Sequence, residues 1–152
     1  MGTVMFYHLT RSSAEQTARV LISRAMAQGW RLMIRGTQEA ELNRLDARLW
    51  ATPEVSFLPH GREGGPHDRR QPLLIGTGPA TNGAQGIILI DGAEVEQSEA
   101  ERMERVWILF DADNPDRLTH ARGQWKRLTD AGLPAQYWSE ESGKWEKKAE
   151  KG

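Results

Sequence analysis

A three-layer α/β/α fold on a mostly parallel sheet is what this sequence predicts, and three observations carry the prediction. Segments of strand character alternate with segments of helical periodicity. The strand segments are continuous apolar runs, as strands covered on both faces require. No linker or internal repeat divides the chain, so residues 1–140 read as one α/β domain and 141–152 as a charged, partly frayed tail.

The elements follow in order. Residues 3–9 (TVMFYHL) are β-branched and aromatic and read as a buried strand. Ser12 and Ser13 are each followed three residues later by Glu15 or Gln16, so either pair can form a capping box. Ala18, Leu21, Ile22, Ala25 and Met26 recur at helical spacing, and Gly29 suits a C-terminal cap. A second strand covers 30–35 (WRLMIR). Thr37 is placed to cap a helix with Leu42, Leu45 and Leu49 on one stripe, which Pro53 ends by pushing Thr52 out of the helical region. Residues 54–71, rich in glycine, proline and mixed charge, read as irregular. Short interior strands are expected at 72–76 (PLLIG), 86–91 (GIILID) and 106–111 (VWILFD), with a loop at 77–85. Asn114-Pro115-Asp116 is a strong helix start, combining a cap, proline at the first helical position and a carboxylate near the positive end of the dipole. That helix runs to about Ala131, with Gly132 closing it. A last strand at 134–139, a turn at 140–143 and the tail WEKKAEKG complete the chain.

Composition narrows the function classes. The chain has 152 residues, a net charge of −1 and no cysteine. Thiol catalysis, disulfides and thiolate metal sites are excluded, and a reducing compartment is the suitable one. An extended electrostatic grip on nucleic acid is not suggested, although a local basic patch is compatible with this balance. No signal peptide and no run of about 18 apolar residues is present, so a cytoplasmic protein without a membrane partner is expected. Six tryptophans are many for this length; each is either core or a candidate for an interface.

Enzyme chemistry is weakly supported. Gly76, Gly78 and Gly83 do not spell GxGxxG, and their loop leads into a strand where a phosphate loop would lead into a helix. Asp111 and Asp113 in FDADN follow a buried strand, where carboxylates can meet ligands. The DxD spacing is similar to the nucleophile motif of haloacid-dehalogenase-type phosphatases. Those enzymes place it on an early strand, whereas here only residues 114–152 follow, and Pro115 stands at a position they give to Thr or Val. Helix-start roles for Asp113 and Asn114 account for the motif more simply. His8, His60, His67 and His120 are scattered, with no HExxH; His60 and His67 share the irregular segment and are expected to be solvated or locally hydrogen-bonded. No cofactor is predicted.

Two surfaces carry more information. On the helix 115–131, Leu118, Ala121, Trp125 and Leu128 form an apolar stripe, and Arg122 and Lys126 lie one turn apart along its edge. A bulky aromatic beside two cations suits a short acidic peptide containing an aromatic residue. A core tryptophan with a solvated basic edge has the same spacing. In the block LDARLWATPEVSFLPH (45–60), Trp50 lies about 100° around the helix from Leu49, with Phe57 and Pro59 close behind. These residues form either an apolar docking site or the anchor of a loop folded over the sheet edge.

The chain resembles the chi subunit of bacterial DNA polymerase III holoenzyme. The resemblance runs through FYHL at 6–9, RLDARLWATPEVSFLPH at 44–60 and ARGQWKRLTDAG at 121–132. The middle block is the most specific, following the family string RLD-x-x-LW-x-x-P-x-x-SF-x-PH. The resemblance implies a nucleotide-binding-like topology without a phosphate loop, and a non-catalytic clamp-loader accessory. It also implies binding of the acidic C-terminal tail of single-stranded DNA-binding protein, so that DNA is met only indirectly. Arg122, Trp125 and Lys126 fall where the family's tail-binding Arg, aromatic and Lys lie. Trp125 replaces a frequent tyrosine, and Thr129 stands where some members carry another base. Trp50, Phe57 and Pro59 fall at the surface that meets the psi subunit or, alternatively, a helicase. The segments 61–71 and 140–152 carry no specific family motif.

The expected function is therefore a chi-like adaptor linking the clamp loader to single-stranded DNA-binding protein. The alternative is a small phosphatase-like enzyme using Asp111 and Asp113. A direct binder of single-stranded DNA is disfavoured by the near-neutral net charge.

Overall fold

In the computed structural model, residues 2–51 and 60–152 are described. Strands β1 (Thr3–Leu9), β2 (Leu32–Arg35), β3 (His60–Arg62), β4 (Leu73–Gly76), β5 (Gly86–Leu89), β6 (Arg105–Asp111), β7 (Ala135–Ser139) and β8 (Glu146–Lys151) form one sheet. Their order is β3-β4-β2-β5-β6-β1-β7-β8. Every pairing is parallel except β7 with β8. Helices α1 (Ala14–Ala27), α2 (Glu39–Trp50), α3 (Gln97–Arg102) and α4 (Pro115–Asp130) supply the outer layers. The predicted α/β three-layer class, with its mostly parallel sheet, is the observed one.

Burial on both faces explains the continuous apolar strands. Successive side chains on a strand point to opposite faces. Met5 and Leu9 of β1 accordingly pack with Leu21, Ile22, Leu42 and Leu45 of α1 and α2. Val4 and Phe6 pack on the other face with Ala100, Ala121 and Leu128 of α3 and α4. β2, β4 and β5 are buried along their whole length. Gly86 marks a close approach within this packing: a Cβ there would lie 2.7 Å from the Trp107 ring and 2.9 Å from Leu32.

The local signals mostly act as expected. Ser13 and Gln16 form the capping box of α1, and Gly29 takes a positive φ of 76° just after it. The Asn114 side chain accepts from the N–H groups of Asp116 and Arg117. Leu42, Leu45 and Leu49 are the buried stripe of α2, which ends at Trp50. Pro53 lies outside the described residues.

Three expectations are corrected and one is narrowed. Thr37 does not cap α2: Gln38 holds that position without a side-chain bond, and the Thr37 hydroxyl donates to the Asp91 carbonyl. Segment 54–71 is not wholly irregular, because β3 and a 3-10 turn at Asp68–Arg70 lie within it. Of the two roles expected for His60, solvated or locally hydrogen-bonded, its 3% exposure under the end of α2 removes the first. Residues 146–151 are not a frayed tail but the edge strand β8. Backbone pairing with β7 orders that strand, and its charged side chains keep an exposed sheet edge soluble. α3 has no counterpart in the sequence reading; it is six residues long and buries only Ala100.

Two buried charges tie the carboxyl ends of the strands together. Arg35, at the end of β2, makes a two-pronged ion pair with Glu99 of α3 at 2.7 Å for each bond. It also donates to the carbonyls of Gly78 and Glu94, which holds the 77–85 loop against α3. Glu140, at the end of β7, accepts the backbone N–H groups of Thr10, Arg11 and Ser12 and the Ser12 hydroxyl. Burial alone would raise the Glu140 pKa, but the bonds from Ser12, Arg11 and Thr10 outweigh it and hold it below the ordinary glutamate value.

Replacing Glu140 by alanine leaves three backbone donors without this acceptor, for an expected loss of about 2–3 kcal/mol in urea unfolding at about pH 7. Because the folded pKa is the lower one, the carboxylate's contribution is full above the unfolded value. It disappears as pH falls through the folded pKa. The stability gap between the parent chain and Glu140→Gln should therefore narrow as urea titrations are repeated toward about pH 3.

Candidate functional site

The helix α4 packs against β6 and β7, and that placement decides what Trp125 does. Its indole is partly buried against the core and meets two rings edge-on. Phe6 of β1 lies at 5.3 Å and 63°, and Tyr137 of β7 at 6.2 Å and 75°. The aromatic contacts continue past Tyr137. His8 stacks on Phe110 at 5.2 Å, and both rings lie 5.9 Å from Tyr137. Edge-to-face and offset contacts of this kind suit the ring quadrupole and stiffen the row. Trp125 thus combines the two readings of its spacing, with one edge in the core and the rest at the surface.

Charge is arranged along the outer margin of this row. Arg122 and Lys126 are exposed one turn apart on α4. Lys126 donates to Asp130 at 2.9 Å, an exposed pair of small energetic weight. Tyr137 has its hydroxyl pKa raised, first by burial, while the Arg122 charge pulls the other way and Glu141 adds to the rise. His8 Nδ1 stands 3.6 Å from the Glu141 carboxylate at the end of the row.

Thr129 is brought to the same helix but not to the same surface. It is 9% exposed, and its hydroxyl donates back to the Trp125 carbonyl at 2.7 Å. Such a bond within the helix satisfies the hydroxyl locally. Tyr137 and His8 are the residues that the sequence reading missed. Alternation along 134–139 separates Tyr137 from Trp138. Only the pairing of Phe6 with Tyr137 across β1 and β7 shows which face meets Trp125.

The second surface forms at the other end of the sheet and on the opposite face. α2 packs against β3 and β4, and its last residue, Trp50, is 49% exposed. The Trp50 ring stacks on His60 at 3.9 Å. Asp46, one turn earlier, faces His60 at 3.8 Å. Burial raises the Asp46 pKa, opposed by the His60 charge and a hydrogen bond from Trp50. Trp50 is therefore fixed from below by a His–Asp pair and presents its free face outward. Phe57 and Pro59 lie outside the described residues.

Asp111 and Asp113 are both exposed where β6 leads into α4. Asp111 lines a cavity of only about 30 Å³ with Asp91 and Arg117, and Asp113 is not among its walls. Among the described residues, no group of three or more His, Cys, Asp or Glu is placed to hold a metal ion. No helix among them is long and apolar enough to cross a membrane.

A model of the family described as DNA polymerase III chi subunit, HolC, matches residues 1–136. No curated protein matches the chain.

The geometry separates packing from surface charge on α4. Trp125→Ala should cost about 3–5 kcal/mol in chemical denaturation, because it removes a half-buried ring from two aromatic contacts. Arg122→Ala and Lys126→Ala should shift the unfolding midpoint little, as exposed residues of a helix surface do.

Proposed function

The chain belongs to the DNA polymerase III chi subunit family, and from that premise we propose that it is an accessory subunit linking the clamp loader to single-stranded DNA-binding protein. It would do so, as a cytoplasmic protein without catalysis of its own, by holding the acidic C-terminal tail of that protein. Arg122 and Lys126 take the carboxylates, and Trp125 offers its exposed edge to an aromatic residue of the tail. Tyr137 extends the apolar floor, and Thr129 supports the helix from beneath. The observation that carries this reading is the coincidence of two exposed cations with an aromatic row already packed ring against ring. A preorganised row of this kind lowers the ordering cost of binding a short peptide.

Trp50 is proposed as the contact for a second partner, the psi subunit or a helicase, and Phe57 and Pro59, outside the described residues, are proposed to share that role. Its exposure on a fixed base supports this, since a rigid exposed tryptophan is a common interface anchor. The two surfaces lie on opposite faces and toward opposite ends of the sheet, which suits simultaneous occupancy.

Calorimetric titration with a synthetic acidic peptide ending in phenylalanine tests the first surface. Saturable binding is expected at low salt, weakening as ionic strength rises. Arg122→Ala or Lys126→Ala should each reduce affinity several-fold, while Trp50→Ala leaves it unchanged. An absence of saturable binding at low salt rules out the assigned tail site. For the second surface, Trp50→Ala should weaken capture of purified psi or helicase without lowering the thermal midpoint.

A further inference from the structure

A cleft of about 500 Å³ opens on the α1 face of the sheet, away from both surfaces described above. Its floor is Met5 and Tyr7 of β1 with Trp138 of β7, and its far wall is Trp145, just before β8. Trp138 and Trp145 lie beyond the residues matched to the family. Tyr7 and Trp145 rings meet at 5.0 Å, and Trp145 remains 37% exposed. Arg24 of α1 and Arg105 of β6 close one end.

Two arginines bring positive charge to this cleft. Arg19, Arg35, Arg44, Arg48 and Arg62 each face a carboxylate. Neither Arg24 nor Arg105 has an ion-pair partner among the described residues. The Arg105 Nε is buried there without a hydrogen-bond partner. Both residues line the same cleft as Tyr7, where their charges oppose the rise that burial gives the Tyr7 pKa. Two unneutralised cations beside indole and phenol rings call for a flat, apolar body carrying negative charge.

Shape selects among anionic ligands. An extended peptide binds best along a free backbone edge. Here β1 is paired on both sides by β6 and β7, and β7 by β1 and β8, so the floor offers side chains alone. Stacking and point charges without backbone pairing are how proteins hold single-stranded nucleic acid irrespective of sequence. We propose that this cleft binds one nucleotide of single-stranded DNA, its base against Trp145 and Trp138 and its phosphate between Arg24 and Arg105. The volume is that of a small-molecule site, not of a long track. A single local contact of this kind is compatible with a net charge of −1. It is independent of the peptide surface on α4, and would give the adaptor a direct hold on the strand beside its protein partner.

Quenching of intrinsic tryptophan fluorescence by a 5′-phosphorylated oligothymidylate of about ten nucleotides tests this. The full chain should show saturable quenching with a shallow salt dependence, a log–log slope of about −1 for one or two neutralised phosphates. Trp145→Ala should weaken binding about tenfold, Arg24→Gln several-fold, and Arg122→Ala not at all. Trp145 and Arg24 are exposed, and unchanged thermal midpoints would show that both variants fold. If Trp145→Ala lowers the midpoint, Arg24→Gln decides alone. The proposal is overturned by an absence of saturable quenching, by variants that bind like the parent, or by a steep salt slope. It is equally overturned if the acidic peptide displaces the oligonucleotide and itself loses affinity in Arg24→Gln, because the cleft is then a second peptide site.

Discussion

The Glu140 carboxylate, seated on the backbone N–H groups of Thr10, Arg11 and Ser12, is the interaction on which the rest of the molecule is arranged. In sheets of this kind the turn from the first strand into the first helix is where a bound phosphate is met by N–H groups. Here the chain supplies the anion itself, from the far end of β7. The turn is therefore satisfied without a ligand, which accounts physically for a nucleotide-binding-like topology with no phosphate loop. The same bonds fix the end of β7 to the end of β1, so that strand cannot shift without exposing three donors.

That anchoring matters because β7 separates two chemistries. Tyr137 points to the α4 face and joins the row containing Trp125, while Trp138 points to the α1 face and floors the cleft. One strand with period-two alternation thus serves two surfaces, divided by the thickness of the sheet. Trp50 lies at the other end, where α2 covers β3 and β4. The three surfaces share no side chain, a division that the proposed contacts with separate partners require.

Charge is distributed by the same logic. The net charge is near zero, yet the cations differ in their surroundings. Arg35 is consumed by its buried pair with Glu99, where two parallel bonds and two carbonyl contacts compensate for desolvation. Arg122, Lys126 and Arg24 remain at the surface beside aromatic rings. The proposed binding chemistry rests on these local contrasts, which a whole-chain charge averages away.

The sequence by itself determined the fold class, because strands buried on both faces must be continuously apolar and helices must show their periodicity and caps. It determined the buried stripe of α2 and the outward turn of Trp50, since a helix at about 100° per residue cannot bury Leu49 and its neighbour equally. It also identified the α4 residues of the proposed tail site, through spacing and family resemblance together. It did not determine α3 or β8, which are short, polar and ordered by backbone pairing or by the burial of Ala100. Nor did it reveal Tyr137 and His8 beside Trp125, the His60–Asp46 base under Trp50, or the cleft between α1 and β8. Each of these joins residues far apart in the chain through strand order and register. Helical and strand periodicity are local properties and are written along the sequence; which strand lies beside which is not, and the tertiary structure alone decided it.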